Sequence, residues 1–188
     1  MSSPESISAA TQRIIADPER LDILINNAAL LLGLTLQPTG ATDAILRDTF
    51  EVNFFGPHQL LRELDPLLKA SSGRALKMAT QVAMLTQLAD PHSPLKKDIC
   101  PAYQSSKIAL NALTVLFAKE LAASGAKVNS ACPGWVPTDM GHEELPDCGD
   151  AVNSMTPAEA VAAYLWLTGP GTDLPTGGFF TGHEAVAW

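Results

Sequence analysis

The sequence predicts an α/β fold in which helices wind over both faces of a parallel sheet. Three observations lead there. Short aliphatic runs alternate with longer segments of helical periodicity. The aliphatic runs at 21–25 and 127–132 stop at Asn26-Asn27 and at Pro133-Gly134. The chain is 188 residues long and 46% hydrophobic, enough for one domain to bury a core. Only 6% of residues are aromatic, so that core should rest on Leu, Ala, Val and Ile.

Residues 6–18 read as a short amphipathic helix, with Ile7, Ala10, Ile14 and Ile15 on one side and Pro18 past the end. Residues 21–25 form a compact aliphatic strand of the kind buried on both faces, closed by Asn26-Asn27. Residues 43–69 carry Ile45, Leu46, Phe50, Phe54, Leu60, Leu61, Leu64 and Leu67 and read as one long helix, in which Pro57 and Pro66 bend or end turns. A weaker strand covers 75–79, and the polar stretch 85–101, with three prolines, reads as a loop. The strongest helix spans 102–123, built on Ile108, Leu110, Leu113, Leu116, Phe117 and Leu121, with Gly125 behind it. Residues 127–132 are a strand stopped by Pro133-Gly134, and 135–155 are irregular. Thr156, Pro157 and Glu159 compose a helix start, with Thr156 as N-cap and Glu159 reaching back. A last strand covers 177–180. No repeat or linker divides the chain, so residues 1–188 read as a single domain.

Composition excludes several classes. Twelve basic against 20 acidic residues, a net charge of −8, argue against binding nucleic acid or an anionic membrane surface. No run approaches the roughly 18 apolar residues of a membrane span, and the first residues lack the basic and apolar regions of a secretory signal. Cys100, Cys132 and Cys148 give neither a disulfide framework nor a zinc pattern. His58, His92, His142 and His183 lie too far apart for metal ligation, so no metal is expected. A cytoplasmic protein is the resulting expectation. Phe54-Phe55 reads as core, and Lys96-Lys97-Asp98 as a solvated loop.

The chemistry begins at Tyr103-Gln104-Ser105-Ser106-Lys107. A Tyr and a Lys four apart share a helix face. A phenol ionises near pH 10 unless a neighbouring cation favours the phenolate, so Lys107 would fit Tyr103 as a general acid for a carbonyl undergoing reduction. Alone, the pair reads equally as an aromatic anchor beside a solvated lysine. Asn26-Asn27-Ala28-Ala29 and Pro133-Gly134-Trp135-Val136-Pro137-Thr138 each follow a strand, at the ends where open α/β sheets bind ligands. Asn53, in Val52-Asn53-Phe54-Phe55-Gly56, lies inside a helix and needs a reason to be there. Ser105-Ser106 has no Gly-x-Ser-x-Gly elbow to make it a hydrolase nucleophile.

These four segments, in this order, resemble the short-chain dehydrogenase/reductase family over nearly the whole chain. Asn53-Phe54-Phe55-Gly56, Cys132-Pro133-Gly134-Trp135-Val136, Thr138-Asp139-Met140 and the ending from Pro175 to Trp188 resemble its carbonyl-reductase branch. The resemblance implies a Rossmann-like fold and NAD(P)H-dependent reduction of a ketone or aldehyde, or the reverse oxidation. It implies that Tyr103 donates the proton, and that Lys107 lowers the Tyr103 pKa and bonds the nicotinamide ribose. Asn53 would hold a water linking Lys107 to solvent. Asn27, Pro133, Gly134, Val136 and Thr138 would line the nicotinamide side of the cleft, with NADP the expected cofactor and NAD the alternative. The family's catalytic Ser falls on Thr80, whose hydroxyl can donate the same hydrogen bond but whose methyl group crowds the pocket; a strand-end Thr packed on the loop is the other reading. Helices 43–69 and 102–123 would pair in a homodimer, and the acidic stretch 139–155 would be a substrate lid.

One departure is large. Only 25 residues precede Asn26 and none is glycine, and no Gly-x-x-x-Gly-x-Gly turn occurs elsewhere. That turn brings backbone N–H groups to the cofactor pyrophosphate. Without it the fold should be N-terminally truncated, with about four strands, an exposed aliphatic edge at 21–25 and weakened cofactor binding. Three expectations follow: the later part of an ordinary reductase, a short protein that keeps the catalytic half, or an inactive chain used as a binding or interaction module.

Overall fold

The computed structural model describes residues 2–16, 20–94, 100–138, 140 and 155–188. One sheet runs in the order β1 (Ile23–Asn26), β2 (Arg74–Met78), β3 (Lys127–Cys132), β4 (Phe179–Thr181), β5 (Glu184–Val186). The first four strands are parallel, joined in register at Asn26 and Lys77, Met78 and Ala131, and Cys132 and Thr181. β5 turns back antiparallel on β4. That makes five strands where the sequence suggested about four. The extra one arises because Gly182, at φ 57°, turns the chain tightly enough for Glu184 to pair with Thr181.

On one face lie α1 (Pro4–Ala16), α2 (Asp43–Phe50), α3 (Gly56–Ser71) and α5 (Pro101–Leu121). Leu61 and Leu68 of α3 and Leu113, Phe117 and Leu121 of α5 pack on Ala75 and Val128 of the sheet. On the other face α6 (Pro157–Leu165) and the 3₁₀ turn Trp166–Thr168 bring Tyr164 and Leu167 against Leu76, Met78, Ala131 and Phe180. Alternation along β2 sends Ala75 and Lys77 one way and Leu76 and Met78 the other. The helix start at Thr156 is the expected one: its hydroxyl accepts from the Glu159 N–H while the Glu159 carboxylate accepts from the Thr156 N–H.

The expected helix over 43–69 is interrupted. Between α2 and α3, Glu51–Phe55 winds as a π-helical turn, and this, rather than either proline, breaks the α-helical register. Pro57 follows the π turn directly in the first turn of α3, and Pro66 lies inside α3 without ending it. Phe54 packs on the core but Phe55 is 49% exposed, against the expectation of a buried pair. The stretch read as loop contains α4 (Leu85–Ala89). Pro18, the Lys96-Lys97-Asp98 run, Cys148, His142 and the expected acidic lid except Met140 and Met155 lie outside the described residues.

The aliphatic strand is not buried on both faces. Leu24 packs on the core, whereas Ile23 and Ile25 are 45% and 43% exposed, because β1 is an edge strand and α6 covers only the strands beyond it. An edge carrying two exposed isoleucines favours intermolecular strand pairing. Ile25→Lys is therefore expected to reduce concentration-dependent association, measured by light scattering, while moving the unfolding free energy by no more than about 0.5 kcal/mol.

Candidate active site

The carboxyl ends of β1, β2 and β3 open toward the first two turns of α5, and the candidate residues gather there. Tyr103 and Lys107 stand one helical turn apart, with the Lys107 ammonium 5.6 Å from the Tyr103 ring centroid. Lys107 is 2% exposed, and its Nζ donates to the carbonyl oxygen of Met78, the last residue of β2, at 2.7 Å. Burial lowers the Lys107 pKa to about 8, with the Cys132 thiol opposing. Tyr103 is half-buried, and burial raises its phenol above the ordinary value, with Cys132 and Cys100 adding in the same direction. The Lys107 ammonium is committed to the Met78 carbonyl and the face of the Tyr103 ring.

Asn53 has its reason for interrupting a helix. The π turn directs it inward, fully buried, where Oδ1 accepts from the Leu30 N–H (2.7 Å) and Nδ2 donates to the Leu30 carbonyl and to Ser106 Oγ (2.9 Å each). Ser106 Oγ in turn donates to the Tyr103 carbonyl at 2.7 Å. Asn53 thus ties the segment after β1 to the turn of α5 that bears Tyr103. Asn53→Ala should leave the Leu30 backbone groups without their partner and cost about 2–4 kcal/mol of unfolding free energy, read by denaturant titration.

Thr80 follows β2 in extended backbone and is half-buried. Gln104 fastens its neighbourhood to α5, donating to the Val82 carbonyl at 2.9 Å and accepting from the Cys100 N–H at 3.1 Å. The residue that joins all these parts was not among the candidates. Cys132, the last residue of β3 and 5% exposed, accepts the N–H groups of Gln81 and Gly134 at 3.4 Å each. The charge of Lys107 also reaches this sulfur and favours its thiolate. Burial nevertheless raises the Cys132 thiol pKa. The only hint in the sequence is its position directly before Pro133-Gly134.

Asn27 is exposed just past β1, and Thr138 is exposed at the far end of the segment that begins with Pro133, turned by a Thr138 N–H to Val136 carbonyl bond of 2.8 Å. Pro133, Gly134 and Val136 are half-buried between them and β3. Asn26 is 4% exposed, and neither end of its carboxamide finds a hydrogen-bond partner. The donors and acceptors here suit the polar nicotinamide-ribose half of a dinucleotide. For the pyrophosphate this sequence offers no glycine-rich turn. Among the described residues no three His, Cys, Asp or Glu side chains group as a metal site, and no helix is long and apolar enough to cross a membrane.

Fold and site together define an open α/β protein with its ligand crevice at the carboxyl ends of a parallel sheet. The chain belongs to the short chain dehydrogenase family, whose model matches residues 1–149. It is 32% identical over 139 residues to 2,3-dihydro-2,3-dihydroxybenzoate dehydrogenase of Escherichia coli (strain K12), covering 71% of this chain and 50% of that protein. It is 23% identical over 223 residues to carbonyl reductase [NADPH] 1 of Rattus norvegicus, covering 99% and 76%. Among solved structures, NADPH-bound carbonyl reductase from chicken fatty liver superposes with a TM-score of 0.83 at 23% identity, covering all of this chain and 74% of that one. An Escherichia coli oxidoreductase superposes with a TM-score of 0.80 at 27% identity, covering 97% and 70%. The chain spans about half the length of the first curated relatives it matches (50%, 56% and 42%).

Proposed function

We propose that this protein reduces a small ketone or aldehyde with a reduced nicotinamide cofactor, or runs the reverse oxidation, acting as one domain. The observation that supports the reading is the convergence of Tyr103, Lys107, Thr80 and Cys132 where β2 and β3 end. Tyr103 gives its proton to the carbonyl oxygen, and Thr80 donates a hydrogen bond to the same oxygen. Burial keeps the phenol protonated, so the proton to be donated is present at neutral pH. Lys107 supplies positive charge as that proton leaves, and Asn53 holds the Tyr103 turn of α5 in place. Asn27, Pro133, Gly134, Val136 and Thr138, with Tyr103 and Lys107, hold the nicotinamide half of the cofactor, and Asn26 can pair its orphaned carboxamide there. When bound, the cofactor supplies hydride to the carbonyl carbon. NADP is the favoured form, as the printed name of the rat carbonyl reductase suggests, with NAD the alternative; residues 1–188 by themselves, without a glycine-rich turn, would hold it weakly. Pairing of two copies through helices 43–69 and 102–123 fits the exposed Phe55 and Leu116, and a cytoplasmic location fits the whole.

A second reading, a catalytically inactive chain serving as a binding or interaction module, draws on the exposed edge of β1. Titrating NADPH and NADH by fluorescence, then following NADPH consumption over a panel of ketones and aldehydes, separates the two. Saturable binding with carbonyl-dependent consumption is expected. Failure to bind either cofactor at millimolar concentration would replace the reductase reading with the second.

A further inference from the structure

We propose that a pocket beside α5 binds a small neutral phenol or aryl alcohol, whose O–H donates to Asn111 Oδ1 while its ring lies against Trp188. The inference goes beyond the reductase reading and does not depend on it. The pocket holds about 160 Å³ and opens to solvent past the exposed Ala112 and Leu85. Ile108, Asn111, Ala112 and Val115 recur at the three- and four-residue spacing of one helix stripe, and Leu85 and Trp188 also line the space. No charged side chain lines it among the described residues, so an ionic ligand would find nothing to pair with. Asn111 is 4% exposed, and its Oδ1 has no hydrogen-bond partner among the described residues. A buried acceptor without a donor is costly, so the site calls for a ligand that brings one. Water answers this poorly, because it needs several polar partners and the apolar walls offer little besides that oxygen. A single aromatic ring fits the size, since an apolar cavity of about 150 Å³ takes up benzene. It also fits the wall. Trp188 stacks on Phe179 at 5.7 Å, and Thr86 donates to its main-chain oxygen from N–H (3.4 Å) and Oγ1 (3.3 Å). An indole already fixed in place spares the ligand the cost of ordering it. Asn111 lies two helical turns beyond Tyr103, about 12 Å along α5, which separates this pocket from the carbonyl that Tyr103 would serve.

The test needs neither cofactor nor turnover, so its outcome is separate from that of the reductase reading. The probe is 4-fluorophenol, titrated into the full chain and followed by fluorine NMR, with fluorobenzene as the counterpart that lacks the O–H. Saturable binding of 4-fluorophenol is expected with a Kd of about 1 mM, as suits a ligand of this size. Fluorobenzene should bind about tenfold more weakly, the worth of one hydrogen bond. The Trp188 indole N–H resonance, assigned by its loss in Trp188→Phe, should shift during the titration. Asn111→Leu keeps the side-chain size and removes the oxygen, so both probes should then bind equally. Should that variant fail to fold, the ratio of the two probes on the wild-type chain decides the role of Asn111. Ala112→Phe, at an exposed position, places a ring in the pocket and should abolish binding of both probes. No saturable binding of 4-fluorophenol at tens of millimolar would overturn the proposal, as would equal affinity of the wild-type chain for the two probes. Binding that survives Ala112→Phe would overturn it too, by placing the phenol elsewhere, the catalytic crevice included. A chain that sediments as a dimer, becomes monomeric in Ala112→Phe and ignores the phenol would make the pocket an interface between copies instead.

Discussion

Tyr103→Phe is expected to lower the rate of carbonyl reduction by about 10²–10⁴-fold, the usual contribution of a positioned general acid, while leaving the unfolding midpoint near its wild-type value. The change removes one oxygen and keeps the ring, so the contact between the Lys107 ammonium and the ring face survives. Ser106 bonds the Tyr103 backbone carbonyl, not the phenol, and is equally unaffected. Steady-state reduction and a thermal unfolding curve on the same preparation check both halves. The pH dependence adds a sign. Tyr103 is raised and stays protonated through the neutral range, so the reduction rate should not fall there on its account. Lys107, lowered to about 8, loses its charge as the pH rises past that value, and the rate should fall with it. A Tyr103→Phe variant running at full rate would remove Tyr103 as the acid.

Lys77→Met is expected to stabilise the protein by about 2–5 kcal/mol at neutral pH, a large gain for one substitution. Lys77 is the fourth residue of β2, fully buried on the face covered by α3 and α5. Its Nζ has no hydrogen-bond partner and lies 5.2 Å from the ring centroid of Phe117, a ring that meets His58 of α3 at 6.0 Å. Burial alone draws its pKa from 10.5 to about 7. The linkage sign follows directly. Between about 7 and 10.5 the unfolded chain holds a proton that the folded protein has released, so stability should rise with pH through that window and be lowest below it. Methionine fills a similar volume, brings no charge and can pack on Phe117. Urea unfolding of wild type and variant at pH 7 and at a higher pH measures both the gain and the loss of pH dependence. Equal stability and equal slope would mean that the amine is solvated or paired in solution.

Lys77 also shows where reading the sequence loses ground. A charged residue in the centre of 75–79 makes that segment a weak strand by composition, yet it is the most completely buried strand next to β3. What makes it a strand is hydrogen bonding on both sides to residues some fifty positions away, which no local pattern records. The isoleucines of β1 err the other way. Their run reads as buried, and they are exposed because nothing among the described residues pairs with that edge or covers that face. The partner of Lys107 is hidden from the sequence for a similar reason. Spacing put Lys107 on the correct helix face, but whether its ammonium meets the phenol or the end of β2 depends on how α5 sits over the sheet.

By itself the sequence determined the alternation of strands and helices, the capping box at Thr156 and Glu159, the strand ends at Asn26 and Cys132, and the shared helix face of Tyr103 and Lys107. All of these are fixed by neighbours within a turn or two of chain, where periodicity and side-chain type act directly. Only the tertiary structure decided that Asn53 widens its helix to reach Leu30 and Ser106, that Lys77 is stranded in the core, and that the Cys132 sulfur joins the segments carrying Thr80, Gly134 and Lys107. Hydrogen-bond partners and solvation depend on distances between residues remote in sequence, and those distances exist only once the layers have packed.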